Sequence, residues 1–317
     1  MRRPESDMEP EAMERLGINN LKRAARIYNR AHFGALQKQR EAILKSGESA
    51  APIEPKIKMR DGWAIDESKT LPHLDQLLEE AEPIIAERGG LLDAISKRAF
   101  MRDLLMDGDF KRCPSFLNFI LSDEVLATVA DYLGFAPVLS DLVPPGVRFA
   151  ESNAAMDPKA GSPPRQSQLY HLDFHDMPLV YVIVLLRDVT IDSGPFTFFG
   201  EAASQKAAKA TRYGARTRPF RVSDEEMYAA ADKKDEHQFM YPRGTVLFID
   251  SSRCFHFGSR NAIVPRYQMM YAFVSACRTD FSEKFMTRRE YPMSESDSLL
   301  RRYALNSRYS EKSTPAR

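Results

Sequence analysis

Apolar positions recur about once per helical turn through the first part of the chain. Between residues 12 and 46 the recurring set is Leu21, Ala25, Tyr28 and His32, the stripe of a helix that buries one face. Lys22, Arg23, Arg26 and Arg30 fill the other faces, and a solvated face is expected there, ahead of contact with an anionic partner or lipid. "APIEP" at 51–55 reads as a linker. It divides an N-terminal helical extension, 1–55, from a body spanning 56–317. A second helix is expected through "LPHLDQLLEEAEPIIAERGG", with Thr70 as N-cap, Pro83 kinking it and Gly89 ending it. A third, "SDEVLATVADYLG", has Ser122 as cap, Val125, Leu126, Val129 and Leu133 as stripe, and Gly134 as stop.

Near residue 137 the period shortens. "APVLSDLVPPGVRFAES" is strand-like around a Pro-Pro turn, and 152–167 is a small, polar, Pro-rich loop. Its length suggests a lid or a disordered segment. Strands are expected at 166–173, 178–189, 195–199, 244–250 and 266–276. The segment 201–237 is charged and partly helical, with a capping box at "SDEE", 223–226. Short strands without crossover helices predict an antiparallel sandwich or barrel with helical support, not a doubly wound sheet.

Composition narrows the functions. Of 317 residues, 43% are hydrophobic and 28% charged, as in a globular protein, and 45 basic residues nearly cancel 44 acidic ones. That balance argues against a nucleic-acid partner. Cys113, Cys254 and Cys277 are too few and scattered for a disulfide framework, so a reducing, cytoplasmic setting is expected. No secretory signal and no membrane-length apolar run is seen, and nothing in the sequence sets an oligomeric state.

Candidate chemistry concentrates in "LYHLDFHDM". On a strand, His171 and Asp173 face one side while Leu172 faces the other. "GTVLFIDSSRCFHFGSRN" offers His256 as a third ligand. Two histidines and one carboxylate form a facial triad, which suits Fe(II) and leaves open positions for a cosubstrate and dioxygen. A dicarboxylate cosubstrate needs a buried cation for its far end, and Arg266, ten residues past His256, opens a strand where such an anchor belongs. His175, four residues after His171, could suggest a helical zinc site, but Pro178 and β-rich neighbours oppose a helix. His175 and Asp176 are expected at the pocket rim, Cys254 as packing, and Phe174, Phe198 and Phe257 as walls. His32, His73 and His237 are expected to be structural or solvated. Arg212, Arg216, Arg218 and Arg221 read as a solvated segment, with an anion-binding rim as the sharper alternative.

The ordered set His171-x-Asp173, His256, Arg266 resembles the Fe(II)/2-oxoglutarate-dependent oxygenases, and within them the phytanoyl-CoA dioxygenase-like group. "YVIVLLRDVTIDSGPFTFF" and "PRGTVLFID" resemble that group's flanking strands, and the likeness runs over about residues 60–276. The resemblance implies a double-stranded β-helix (jelly roll, cupin-like), mainly β with helical support. It also implies iron on His171, Asp173 and His256, and 2-oxoglutarate on Arg266 helped by Ser259. The implied reaction is dioxygen-dependent hydroxylation of a small-molecule C–H bond, with release of succinate and carbon dioxide. A carboxylate at 173 favours hydroxylation, since the related halogenases lack it. "FFGEAAS" departs from the group's Pro-Gly-Ser-His, with Gly200, Glu201 and Ala203 on the substrate side. The rivals are a non-catalytic metal- or small-molecule-binding jelly roll, which would lack the triad or the anchor, and a cupin-type isomerase, which would show more histidines.

Overall fold

The computed structural model describes residues 14–46, 55–91, 100–106, 108–143, 145–157, 159, 161–218, 220–281, 288–294 and 296–308. The strands are β1 (Trp63–Asp66), β2 (Arg102–Asp103), β3 (Val138–Leu139), β4 (Val147–Ser152), β5 (Val180–Leu185), β6 (Thr197–Phe199), β7 (Glu236–Gln238), β8 (Val246–Asp250), β9 (His256–Phe257) and β10 (Arg266–Val274). A larger sheet has the order β1-β8-β5-β10-β4-β2, with β3 also on β10, and a smaller one has the order β7-β6-β9. Every pairing is antiparallel. This is the double-stranded β-helix arrangement, with helices covering its outer face.

The central strands are apolar on both sides because both sides are covered. Val180, Val182 and Val184 of β5 join a core with the helices, while Tyr181, Ile183 and Leu185 join a second core between the sheets. The same alternation divides β10. Tyr267, Met269, Tyr271 and Phe273 face the helices. Arg266, Gln268, Met270 and Ala272, two apart, share the other face, and Met270 and Ala272 lie in the core between the sheets. Polar side chains in an otherwise apolar strand thus fall on the inner face.

The covering helices are α2 (Leu74–Arg88), α3 (Asp109–Arg112), α4 (Ser115–Ile120) and α5 (Asp123–Leu133). The expected stripe of α5 is buried in full, and Gly134 ends the helix at φ 74°. Ser122 is its N-cap residue but makes no side-chain capping bond. Thr70 does not cap α2. His73 stands at the cap in the left-handed region, and the Thr70 hydroxyl bonds Ser68 instead. Gly89 ends α2 as expected, although in extended backbone. A side chain there would meet the Ile85 carbonyl and the Tyr267 hydroxyl at 2.6 and 2.7 Å, which explains the glycine.

The N-terminal helix, α1 (Ile18–Ser46), packs on the body through a stripe only partly apolar. Ile18, Ala25, Asn29, Arg40 and Ile43 are buried, while His32 is exposed. Asn29 donates to the Arg278 and Asp280 carbonyls at 2.6 and 2.9 Å. Arg40 donates to those of Ala136, Pro137 and Asn306, and lies over the Tyr303 ring. Burial lowers its pKa to about 10. Periodicity of apolar residues misses Asn29 and Arg40 because their contribution is hydrogen bonding to backbone carbonyls.

The expected strand at 166–173 is a correction. Gln166–Gln168 form a 3-10 turn, and only single bridges follow, Tyr170 to Val222 and His171 to His256. The chain leaves the ladder after His171 because the Asp173 N–H bonds Ser251, at the end of β8. In the loop 152–167, Ser152 ends β4 and Arg165 pairs with Asp157 at 2.5 Å. Residues 158 and 160 lie outside the described residues, so the lid expectation is not decided. The segment 201–237 contains α6 (Glu201–Thr211) and α7 (Asp224–Ala230), the latter opened by the Ser223–Glu226 capping box. No helix among the described residues is long and apolar enough to cross a membrane.

Candidate metal centre and its pocket

His171 and His256 sit opposite each other and exchange both backbone hydrogen bonds, at 3.0 and 3.1 Å. In such an antiparallel pair the two side chains leave the same face. Their ring centroids are 4.3 Å apart. Each Nδ1 lies beside the carbonyl two residues upstream, His171 on Leu169 at 2.9 Å and His256 on Cys254 at 3.0 Å. A carbonyl can only accept, so Nδ1 carries the hydrogen and Nε2 is left as the free lone pair.

Both Nε2 atoms turn toward Asp173, at 3.9 Å from Oδ1 for His171 and 3.7 Å from Oδ2 for His256. These separations are too long for hydrogen bonds. One ligand atom from each of the three residues lies within 4.8 Å of the others. Asp173 is fixed through its own backbone: its N–H donates to Ser251 and its carbonyl receives Lys22 Nζ at 3.4 Å. Lys22 is therefore not part of a solvated face, and burial lowers its pKa to about 8.

Charge follows placement. Burial, then the Arg221 guanidinium and the His256 ring, push His171 well below the ordinary imidazole range, so it is neutral, as a metal ligand must be. Burial disfavours the Asp173 charge, but the imidazoles of His256 and His171 outweigh it and hold the carboxyl below its usual range. Two imidazole nitrogens and one carboxylate, each imidazole oriented by a backbone carbonyl, fit a divalent cation with open positions.

Arg266, the first residue of β10, lines the same pocket and is 2% exposed. Its Nη1 donates to the Gly194 carbonyl at 2.6 Å, and its Nη2 approaches the hydroxyls of Ser152 and Ser259 at 3.3 and 3.4 Å. Nε has no partner, and no ion pair to Arg266 occurs among the described residues. Burial, with no charge to offset it, lowers its pKa to about 10. Ser259 is buried at φ 65° and bonds Ser152 at 2.7 Å, in the same cluster as Arg266. Arg260 points elsewhere, paired with Asp224 at 2.8 Å and stacked on Phe257.

Some expected neighbours take other parts. Phe174 lines the pocket, but Phe198 and Phe257 do not. Phe198 stacks on His237, and Phe257 lies beneath Arg260. The missing wall is Phe196, stacked on His256 at 5.2 Å. His175 lines the pocket and bonds Asp280 at 2.8 Å, within a buried pair that Asp280 makes with Arg278. Asp176 is not at the rim. It is 1% exposed and accepts from the Met177 and Ser275 N–H groups. Cys254 is buried packing, as expected. Of the arginine-rich segment, Arg221 lines the pocket, while Arg212, Arg216 and Arg218 are exposed. Gly200 starts α6 against Asp61, whose carboxylate caps the Ala202 N–H at 2.8 Å, so "FFGEAAS" has a local structural reason.

Sequence reasoning missed Arg148, Gln268, Tyr181 and Ile183, which also line the pocket. The available signal was the spacing Arg266, Gln268, Met270, which puts one face of β10 into the site.

No family model matches the chain, and no curated protein matches it. Similar solved structures include EctD from S. alaskensis in its apo form, at 16% identity, covering 74% of this chain and 82% of that one, TM-score 0.47. Another is the epimerase SnoN in complex with Fe3+, alpha ketoglutarate and nogalamycin RO, at 13% identity, covering 77% and 85%, TM-score 0.44. A third is HygX from Streptomyces hygroscopicus with nickel, 2-oxoglutarate and hygromycin B bound, at 14% identity, covering 67% and 82%, TM-score 0.36. With TM-scores below 0.5, these are likenesses of outline only.

Proposed function

We propose that this protein is an Fe(II)/2-oxoglutarate-dependent dioxygenase that hydroxylates a C–H bond of a small molecule. The observation that carries the reading is a single pocket holding both a two-histidine, one-carboxylate cluster and a buried arginine with no counter-charge among the described residues. A buried, uncompensated guanidinium is costly. An anion whose other end lies on the metal removes that cost, and a short dicarboxylate has this shape.

In this reading His171, Asp173 and His256 hold the iron, and Arg266, with Ser259 at its side, holds the far carboxylate of 2-oxoglutarate. Iron with 2-oxoglutarate supplies the oxidising chemistry: dioxygen, 2-oxoglutarate and the substrate give succinate, carbon dioxide and the hydroxylated product. The protein keeps the His171 imidazole neutral, fixes both rings through Leu169 and Cys254, and lines the pocket with Phe174, Phe196 and Ile183 to exclude water. Membership of the phytanoyl-CoA dioxygenase-like group and a cytoplasmic location belong to the same reading, the latter supported by three buried free cysteines. So does the division at residue 55.

Anaerobic protein mixed with Fe(II) and then 2-oxoglutarate is expected to develop a visible iron–cosubstrate charge-transfer band. Admission of oxygen is expected to yield succinate, and Asp173→Ala neither band nor succinate. Absence of both from the wild type would remove the dioxygenase reading.

A further inference from the structure

We infer that the pocket holds a second anion subsite, built by Arg148 and Gln268, and that the primary substrate is a small molecule bearing an oxyanion. This rests on the dioxygenase reading only for the word substrate; the subsite stands on its own geometry.

Three arginines, Arg148, Arg221 and Arg266, line the pocket against one carboxylate, Asp173. Counting imidazoles as neutral, the lining carries an excess of two positive charges, three less one. A divalent metal and a doubly charged dicarboxylate cancel each other and leave that excess in place. An anionic substrate would lower it.

Arg148 has the incomplete side chain. Its Nη2 faces the Met270 sulfur at 3.8 Å, and its Nε is buried without a partner. Asp103, whose charge it feels, already accepts the Phe149 and Leu105 N–H groups. Gln268 is similar: its amide nitrogen faces the same sulfur at 3.1 Å, and its Oε1 is buried with no partner. A thioether is a weak acceptor, so both side chains have hydrogen-bonding capacity in reserve. The pair offers guanidinium and amide donors to an oxyanion, with the amide oxygen left to accept from a neighbouring hydroxyl or amine.

The register sets Arg148 apart from the Arg266 anchor. Ser152 lies opposite Arg266 on β10, and Arg148 lies opposite Met270, four residues along. At about 3.4 Å per residue, that is about 14 Å of strand. A five-carbon dicarboxylate spans about 5 Å from carboxyl carbon to carboxyl carbon, at bonds of about 1.5 Å, and its other end belongs at the metal. Met270 and Ile183 stand beside Arg148 in register, with Tyr181 two residues from Ile183 on the same strand, so the ligand carries its charge on a mostly hydrocarbon body.

The test is calorimetric titration, without oxygen, of protein saturated with Fe(II) and 2-oxoglutarate. The probes are benzoate, mandelate, phenyl phosphate and the neutral control benzamide. The wild type is expected to bind an anionic probe at least about tenfold more tightly than benzamide, in addition to 2-oxoglutarate and not in its place. That factor is the scale of one charge-assisted hydrogen bond. Mandelate exceeding benzoate would support the role of Gln268, and the phosphate arm separates phosphate esters from carboxylates. Arg148→Met is expected to abolish the preference while 2-oxoglutarate binding stays within twofold of wild type, with Arg148→Lys intermediate. Equal binding of benzamide and every anion, competition with 2-oxoglutarate, or an unchanged preference in Arg148→Met would each overturn the proposal. If the wild type binds no 2-oxoglutarate, the dioxygenase reading falls. The subsite is still decided by the difference between wild type and Arg148→Met.

Discussion

At the metal end of the pocket both imidazoles give their Nδ1 hydrogens to backbone carbonyls, and Asp173 is tied at its backbone to Ser251 and Lys22. At the other end Arg266 meets one carbonyl and two hydroxyls, and its charge has no opposite among the described residues. The first cluster is arranged to keep its shape before any ligand arrives. The second has its charge placed and its partner missing. Arg278 sharpens the contrast: equally buried, it is closed by Asp280 through two guanidinium bonds of 3.0 and 3.1 Å. One buried arginine is structural because its counter-charge is built in. The other fits a ligand because its counter-charge is not.

The largest expected effect breaks the metal end. His171→Ala and His256→Ala each remove one of three ligands, and stoichiometric iron by elemental analysis is expected to be lost from both. The backbone bridge does not need the side chains, so circular dichroism should be unchanged. Full iron in either variant would contradict the triad.

Next comes the closed arginine. Asp280→Ala leaves Arg278 buried without its partner, and urea denaturation is expected to show a loss of about 3–5 kcal/mol. Arg266→Met removes a cation that leaves no buried counter-charge behind among the described residues. Without ligands, its stability is expected to stay within about 1 kcal/mol of wild type or to rise. Equal losses in the two variants would mean that Arg266 is structural.

The smallest effect concerns Lys22. Burial lowers its pKa from 10.5 to about 8, so between those values the unfolded chain binds more protons than the folded one. Its contribution to stability therefore rises with pH across that window. Denaturation of metal-free protein at pH 7.5 and pH 10 is expected to show a gain for wild type that Lys22→Met lacks. A parallel gain in the variant would remove Lys22 as the cause.

The sequence carried the fold class and the grouping of the candidate site residues, but not every strand between them. His171, Asp173, His256, Arg266 and Ser259 were legible because their chemistry is rare and their order informative, and all five line the pocket. The strand proposed to carry His171 and Asp173 proved to be one bridge and a departing chain. Two alternating residues need only an extended backbone to share a side, so the inference outlived the strand. Phe196 was missed in favour of Phe198 and Phe257 because aromatic residues two apart look alike until the sheets are stacked. Arg148 was hidden for a different reason: its role appears only when β4 is laid against β10. Asn29 and Arg40 were not picked out, because hydropathy does not register carbonyls waiting for donors on the other side of an interface.

The central claim is that Arg266 holds the far end of the cosubstrate. Its most direct test is calorimetric titration of 2-oxoglutarate into Fe(II)-loaded wild type and Arg266→Ala without oxygen, with iron content measured on both. Iron is expected to be equal. Affinity for 2-oxoglutarate is expected to fall by about 2–5 kcal/mol, the cost of removing one partner from a buried charge pair, with partial recovery in Arg266→Lys. Equal affinity in wild type and Arg266→Ala, at equal iron, would contradict the account.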